Sequence, residues 1–548
     1  MNNLQRCLRF SFLVVAILFF SVTHVFAQGS IEESGSSTES MAEADESLES
    51  FGEDSLEGFG DDSLDSFSDE GSDAEGVDET GLGGFEIDLG DISAEVEKPS
   101  DLVLGGFVKL DLGYSSMHED PDFSKIRTIL NFGADYKFNK NWRFKGNWNG
   151  FYDYAAQQQY RLSVWLRKGK DQLMEETFDR DESEAEIRDF YIDGVVSKSF
   201  QVKLGRQIIA WGESESTQII DMANPRDLRE MGMVDLEDAR VPVTASKFSF
   251  LTGQWELNLV AIHEIRSNKI PAEGSEFDLF QGLRNSGIQL EDEEVPESNS
   301  ENTEYMIRLF KIFNGGDFSL VWADTYDDSP RLDFYKFVSI PASQDLPASQ
   351  TLTLIPRHQR IKTLGFSANL VSGSWLFKTE MGRKTDVAVA RKDQQSQLLA
   401  SLQTIIPPPS DGIYLEERAL LQGWSSKNID QGMLGLEYAG VTDLTLSLDV
   451  SGQKINEYEE NLASPEVGIS YSLRATYAAF NDTLKSTLFW IKFPENNGDV
   501  VRGNIDYELG EALALSFGAI NYISDDETAT VYPYRDNDRL MLGFKQSF

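Results

Sequence analysis

The sequence predicts an all-β chain: a transmembrane antiparallel β-barrel of about 18 strands, preceded by a disordered acidic segment. Three observations predict it: an export signal at the N-terminus, a period-two alternation from Leu102 to Phe548, and connections that are alternately short and long.

The export signal sets the compartment. Arg6 and Arg9 supply a positive n-region, Phe10 to Phe20 an apolar run too short to span a bilayer, and Val25-Phe26-Ala27 a small-residue cleavage site. Residues 1–27 therefore read as a cleaved signal peptide. The only cysteine, Cys7, lies within it, so the mature chain has no thiol for disulfides, thiolate metal sites or nucleophilic catalysis. No later apolar run approaches the ~20 residues of a membrane helix, so a membrane-bound chain must cross as a closed barrel, which alone satisfies its backbone in lipid without helices.

Charge divides the chain in two. The formal net charge is −44, and loss of Arg6 and Arg9 makes the mature chain −46, a balance that excludes nucleic acid as a partner. Residues 28–100 hold 24 acidic side chains against Lys98 alone, so half the charge sits in this short stretch. Its own repulsion extends it, and its few apolar residues cannot offset the entropy of ordering; the segment is expected to be disordered. Within it an eight-residue unit repeats three times, Glu46 to Glu53, Asp54 to Asp61 and Asp62 to Asp69, each with a Leu/Phe pair. That pattern suits a linear motif folding on a periplasmic partner, or a solubilising tail.

From 101 onward the chain reads as barrel. Leu444, Leu446, Leu448 and Val450 alternate with Thr445, Ser447 and Asp449, and Val467, Ile469, Tyr471 and Leu473 alternate with Gly468, Ser470 and Ser472. The expected strands are 104–114, 125–138, 142–155, 184–198, 199–210, 242–251, 254–266, 302–313, 318–327, 359–371, 374–386, 429–439, 442–454, 465–478, 482–494, 499–509, 512–523 and 537–548. Short connections carry turn residues, as at Asn139-Lys140-Asn141, Ser372-Gly373 and Gly510-Glu511, whereas 267–301, 328–358 and 387–428 are long. Short periplasmic turns alternating with long outside loops belong to a barrel in the outer membrane of a Gram-negative bacterium. The final stripe of Leu540, Leu542, Phe544 and Phe548, interrupted by Gln546, resembles the terminal strand by which such barrels are recognised; Phe544 and Phe548 are the expected insertion signal, read by the barrel assembly machinery.

Apolar-out, polar-in strands place Lys109, Arg127, Arg143, Lys145, Lys203, Arg308, Lys378 and Arg474 on the lumen wall, with Asp111, Asp135, Asp153 and Glu380 among them. A lining of mixed sign means ion pairs that brace the wall or a lumen for neutral solutes. The expected third outside loop, 211–240, is rich in charge and folds inward as a constriction, or covers the pore as an external lid. Its candidate residues are Arg206, Trp211, Glu213, Asp221, Asn224, Arg226 and Asp227, with Asn224 capping a short helix over Pro225 to Met231. Arg206 shares its face with Val202 and Leu204, so either it lies near the headgroups or, the preferred reading, a bulge at Gly205 turns it inward.

The run Gly205-Arg206-Gln207-x-x-x-Trp211-Gly212-Glu213, followed by Asn224-Pro225-Arg226-Asp227, resembles a bacterial outer-membrane barrel family known as domain of unknown function 1302. The likeness covers the fourth to sixth strands best and the rest of 101–548 more loosely. Its members are encoded beside inner-membrane transporters of the resistance–nodulation–division type, which implies an envelope transport role with a periplasmic or inner-membrane partner. Catalysis has little support: His118, His263 and His358 are scattered, with no HExxH or GxSxG motif beside them, and no cofactor or metal site is expected. The expected function is a porin-like channel for solutes or hydrophobic compounds; the alternative is a barrel that anchors acidic repeats for a periplasmic partner.

Overall fold

The computed structural model describes residues 101–115, 122–155, 182–214, 217–235, 238–273, 275–285, 288–340, 349–392, 413–416, 423–527, 529 and 531–548; the expected signal peptide and acidic repeats lie outside them. The strands are β1 (Leu102–Ser115), β2 (Asp122–Asn139), β3 (Trp142–Asp153), β4 (Ser183–Ser197), β5 (Phe200–Gln207), β6 (Val243–Thr252), β7 (Trp255–Ile262), β8 (Ile288–Leu290), β9 (Glu304–Phe313), β10 (Gly316–Tyr326) and β11 (Arg331–Ile340). They continue as β12 (Ser349–Arg357), β13 (Arg360–Ser372), β14 (Trp375–Ala390), β15 (Ile413–Glu416), β16 (Trp424–Val441), β17 (Leu444–Ile455), β18 (Val467–Ala479), β19 (Leu484–Phe493), β20 (Gly498–Glu508), β21 (Leu513–Ser524) and β22 (Arg539–Ser547).

Eighteen of these strands form one antiparallel meander that closes on itself, β22 pairing with β1 through Lys545↔Lys109 and Leu542↔Leu112. Phe548 extends the closure, exchanging backbone hydrogen bonds of 2.9 and 3.0 Å with Gly106. Each of the eighteen expected strands has its counterpart in this wall. The remaining four, β8, β11, β12 and β15, lie in the long connections and form a separate sheet in the order β15-β11-β12-β8. The sequence reading takes them as loop; β8 and β15 are short, Pro356 sits within β12, and the β11–β12 hairpin finds its outer partners in two other connections, a pairing no local pattern specifies.

The barrel is inside-out. Leu364 and Leu434 are each 64% exposed on the outer face, with Phe190, Phe377, Leu448 and Val450 also exposed, while Asp449, Ser451 and Ser472 of the same strands are buried on the inner one. No described helix is long and apolar enough to cross a membrane; the strands do so. Among the inner charges, Lys109 pairs with Asp111 at 3.1 Å, Arg127 with Asp153 at 3.1 Å, and Lys378 with Glu437 at 3.1 Å. Arg143 donates to Asp135 at 2.7 Å, and Arg308 and Lys203 lie over the rings of Phe310 and Tyr191 at 4.5 and 3.9 Å. Lys145 is buried on the same wall.

The polar-in expectation fails on β19–β21, where Ile491, Val500, Ile520 and Tyr522 are buried with Met233, and over a wider sector of β6–β16. Val243 and Ala245 of β6, Val260 and Ile262 of β7, Met306 of β9, Val321 and Ala323 of β10 and Met433 of β16 are all buried in one apolar cluster inside the barrel. An apolar inner wall in a wide barrel needs something to cover it, and that cover is the connection after β5.

Candidate functional site

The connection 208–242 leaves the wall because β5 ends early and Gly205 lets the backbone turn. Gly205 has φ 127°, and a Cβ there would stand 2.2 Å from the Phe190 carbonyl oxygen. The β4–β5 and β5–β6 registers run unbroken through it, so the expected bulge at Gly205 is absent; the bulge lies in β4, where Arg188 is the extra residue between Ile187↔Trp148 and Asp189↔Asn147. Gln207, fully buried, donates to the carbonyls of Gly205 and Ala245 at 3.1 and 3.0 Å, fixing the point of departure. Arg206 pairs with Glu186 at 3.1 Å and Glu264 at 2.9 Å.

The first limb, 209–223, is held by apolar packing. Ile209, Trp211, Ile219, Ile220, Met222 and Ala223 join the inner-wall cluster, and Ile219 and Ile220 are 0% exposed. Ile219 and Ile220 rest on Gly365 of β13 and Gly382 of β14, which face each other in register; a Cβ on Gly365 would come within 2.2 Å of Ile220. Buried beside them, Glu380 of β14 accepts three loop N–H groups, from Glu213 at 2.9 Å, Ser214 at 3.2 Å and Ile220 at 2.7 Å. A carboxylate with three backbone donors is well satisfied despite its burial.

Asn224 and Asp221 clasp the middle of the loop. Asn224 accepts from Ile209 N and donates to Val241 O, both at 2.8 Å, tying the loop's two ends together. It does not cap a helix: Arg226 and Asp227 are extended, bridged to Arg240 and Lys269, and Leu228 N donates to Lys269 O at 2.8 Å. The expected helix over Pro225 to Met231 loses because the segment finds strand partners on both sides, an outcome that only tertiary contacts decide. Asp221 holds two buried guanidinium groups, Arg226 and Arg240, the latter at 3.0 Å. Asp227 pairs with Arg229 at 2.5 Å.

The second limb, 226–235, reaches the far wall and is held by charge and by Met233, buried in a second apolar cluster with Ile491, Val500, Ile520 and Tyr522. Glu230 pairs with Lys125 and, at 3.2 Å, with Arg127, both of β2. Burial alone would push its carboxyl up, but Arg127 and Lys125 together outweigh that and hold it well below the ordinary carboxylate range. Asp235 binds Arg502 of β20 and, at 3.0 Å, Arg474 of β18, which likewise overcome burial and depress it. Arg502 also donates to Gly232 O at 3.0 Å, and Tyr522 of β21 to Met231 O. The loop therefore spans the lumen from β13–β16 to β18–β22 and β2. Beneath it lies a cavity of about 510 Å³ lined by Asn149, Asp189, Asp235, Arg474, Lys485 and Asp506, among others.

The sequence-predicted residues divide accordingly. Trp211, Asp221, Asn224 and Arg226 are buried inside the loop's own framework, Glu213 and Asp227 are half-buried, and Arg206 lies where the loop leaves the wall. Of the expected lumen residues, Arg127 and Arg474 bind the loop by ion pairs. Sequence reasoning counted Glu230 among the charges of the loop without its partners, and missed Ile219, Ile220 and Asp235, as well as Glu380 as an anchor. An isoleucine pair between the charged runs of the loop, matched by glycines at inner-face positions of two consecutive strands, was the available signal. Among the described residues no cluster of His, Cys, Asp or Glu is placed to hold a metal.

A closed barrel with an apolar outer face and a loop bonded to opposite inner walls defines an outer-membrane β-barrel with an internal, lumen-crossing loop. The chain belongs to the family described as "Protein of unknown function (DUF1302)", whose profile matches residues 111–548. No curated protein matches it. Among solved structures it is similar to OccAB3 of Acinetobacter baumannii, at 10% identity and a TM-score of 0.44, covering 82% of this chain and 99% of that one. It is also similar to OccK2 (OpdF) of Pseudomonas aeruginosa in complex with glucuronate, at 9% identity and a TM-score of 0.42, covering 82% and 97%. A third is OmpF of Salmonella typhi in complex with daunomycin, at 8% identity and a TM-score of 0.36, covering 82% and 97%.

Proposed function

We propose that the protein is a porin-like channel of the outer membrane, for solutes or hydrophobic compounds, in which loop 208–242 is the constriction. The observation that carries this reading is the attachment of one loop to opposite walls, through Glu380 on one side and through Arg502 and Lys125 on the other. Such a loop narrows the passage of a barrel this wide and leaves a polar vestibule beneath it. Solutes enter the vestibule from the periplasm, alone or delivered by an inner-membrane exporter, and pass where the ionic limb yields.

The test is conductance in planar bilayers. Replacing 214–232 by a Gly-Ser linker raises single-channel conductance while the barrel keeps its heat-modifiable migration; changing Glu213 and Asp227 together to amides acts in the same direction but less. Unchanged conductance in the folded deletion would remove the constriction. A barrel that only anchors the acidic repeats stays closed in both forms.

A further inference from the structure

β5 leaves the wall after Gln207, and its departure leaves a seam. β4 runs from Ser183, but its ladder to β5 ends at Phe190↔Arg206. Among the described residues no strand pairs with Ser183–Asp189 on that side. In a lipid-facing wall a missing ladder is unusual, because backbone groups there have no water to bind. Ion pairs bridge the gap instead: Glu184 binds Arg229 at 2.6 Å and Lys269 at 2.5 Å, while Glu186 binds Arg266 at 2.6 Å and Lys269 at 2.7 Å. Arg206 closes the lower end through Glu186 and Glu264.

The seam has an apolar side and a lumen side. Outward, its borders are Ile187, Phe190 and Leu204, exposed by 48%, 57% and 42%, so it opens into the apolar belt. Inward, Arg188, Asp189 and Ile208 line the 510 Å³ vestibule. Among the described residues, what stands between the vestibule and the acyl chains here is these ion pairs and the backbone of the lumen-crossing loop at Arg226 to Arg229, bridged to Arg240 and Lys269 and bonded to β4 through side chains alone.

We infer that this seam is a lateral portal through which an acyl-chain amphiphile passes between the vestibule and the membrane, its polar head exchanging for the ion pairs while its tail stays in the apolar belt. The inference rests on the channel reading above and adds a second exit to it. Glu184 and Glu186 of β4 face Arg206, Arg229, Arg266 and Lys269 across it, with Asp227 and Glu264 beside these cations, so heads of either sign find a partner. Because Arg229 belongs to the constriction, movement of the ionic limb opens the axial and lateral routes together.

The test uses the mature protein in liposomes of phosphatidylcholine brominated on its acyl chains, with bimane on Ile208→Cys at the seam or on Lys485→Cys, which lines the same vestibule where β19 pairs with both neighbours. Cys7, in the leader, is the only native cysteine. Bimane at 208 is quenched about twofold more than at 485, since only the seam shields it from lipid. The isosteric pair Glu184→Gln and Glu186→Gln strengthens quenching at 208 and leaves 485 unchanged. Equal quenching at both positions, in the native protein and in the amide pair, overturns the portal. Conductance of the same preparations separates the two readings: a conducting barrel with equal quenching loses the portal alone, and a non-conducting one loses the channel.

Discussion

Both limbs of loop 208–242 bury apolar side chains, but the second adds ion pairs with the barrel wall. Residues 209–223 are buried in an apolar cluster on β6–β16, with Ile219 and Ile220 seated on paired glycines, whereas 230–235 meet the far wall through Glu230 and Asp235 on Lys125, Arg127, Arg474 and Arg502. Apolar burial does not titrate and is not screened by salt, but ion pairs weaken in acid and at high ionic strength. The difference teaches which end is fixed and which can be released: the loop is hinged on the isoleucine side and latched on the acidic side.

The comparison breaks most readily at the hinge. Ile219→Ala with Ile220→Ala removes two fully buried side chains at about 2–5 kcal/mol each. The loop then detaches from β13–β14, single-channel conductance rises and the loop becomes accessible to protease, while the barrel still resists heat. A resistant loop would mean that Glu380 alone holds the limb.

A smaller effect is expected at the latch. Asp235→Asn leaves Arg502, 3% exposed, with a neutral partner and costs about 1–3 kcal/mol of docking. Brief openings become more frequent in single-channel records, with the mean conductance between openings unchanged. Openings that match those of the isoleucine pair would show that the two limbs undock as one unit.

The smallest effect comes from acid. The carboxyls of Glu230 and Asp235 are depressed in the folded loop, so their stabilisation is fully present above the ordinary carboxylate values of ~4 and declines as the pH falls toward the depressed ones. These two carboxyls therefore add no change in conductance from about pH 5 to 8 and raise it only in stronger acid. The Asp235→Asn variant loses part of that increase. Opening that grows as the pH rises would contradict the latch.

Much of this protein was written locally. Strict alternation, as in Leu444 to Val450, and turn residues at every short connection specify a wall of eighteen strands, because a strand with one apolar and one polar face has few ways to satisfy its backbone in a membrane. The place of the unusual loop was legible too, from Gly205 and the charged run after Trp211. Its conformation was not. Asn224-Pro225 reads as a helix start, yet Asn224 became a clasp once Ile209 and Val241 were brought to it, and Arg226 an extended residue once Arg240 and Lys269 flanked it. The apolar inner sector of β6–β16, the partners of Glu230 and Asp235, and the seam beside β4 all join residues far apart in the chain. Sequence by itself determined which side of each strand faces lipid, since that depends on period alone; only the tertiary structure decided what fills the lumen, since that depends on which distant side chains the closed wall brings within reach of the loop.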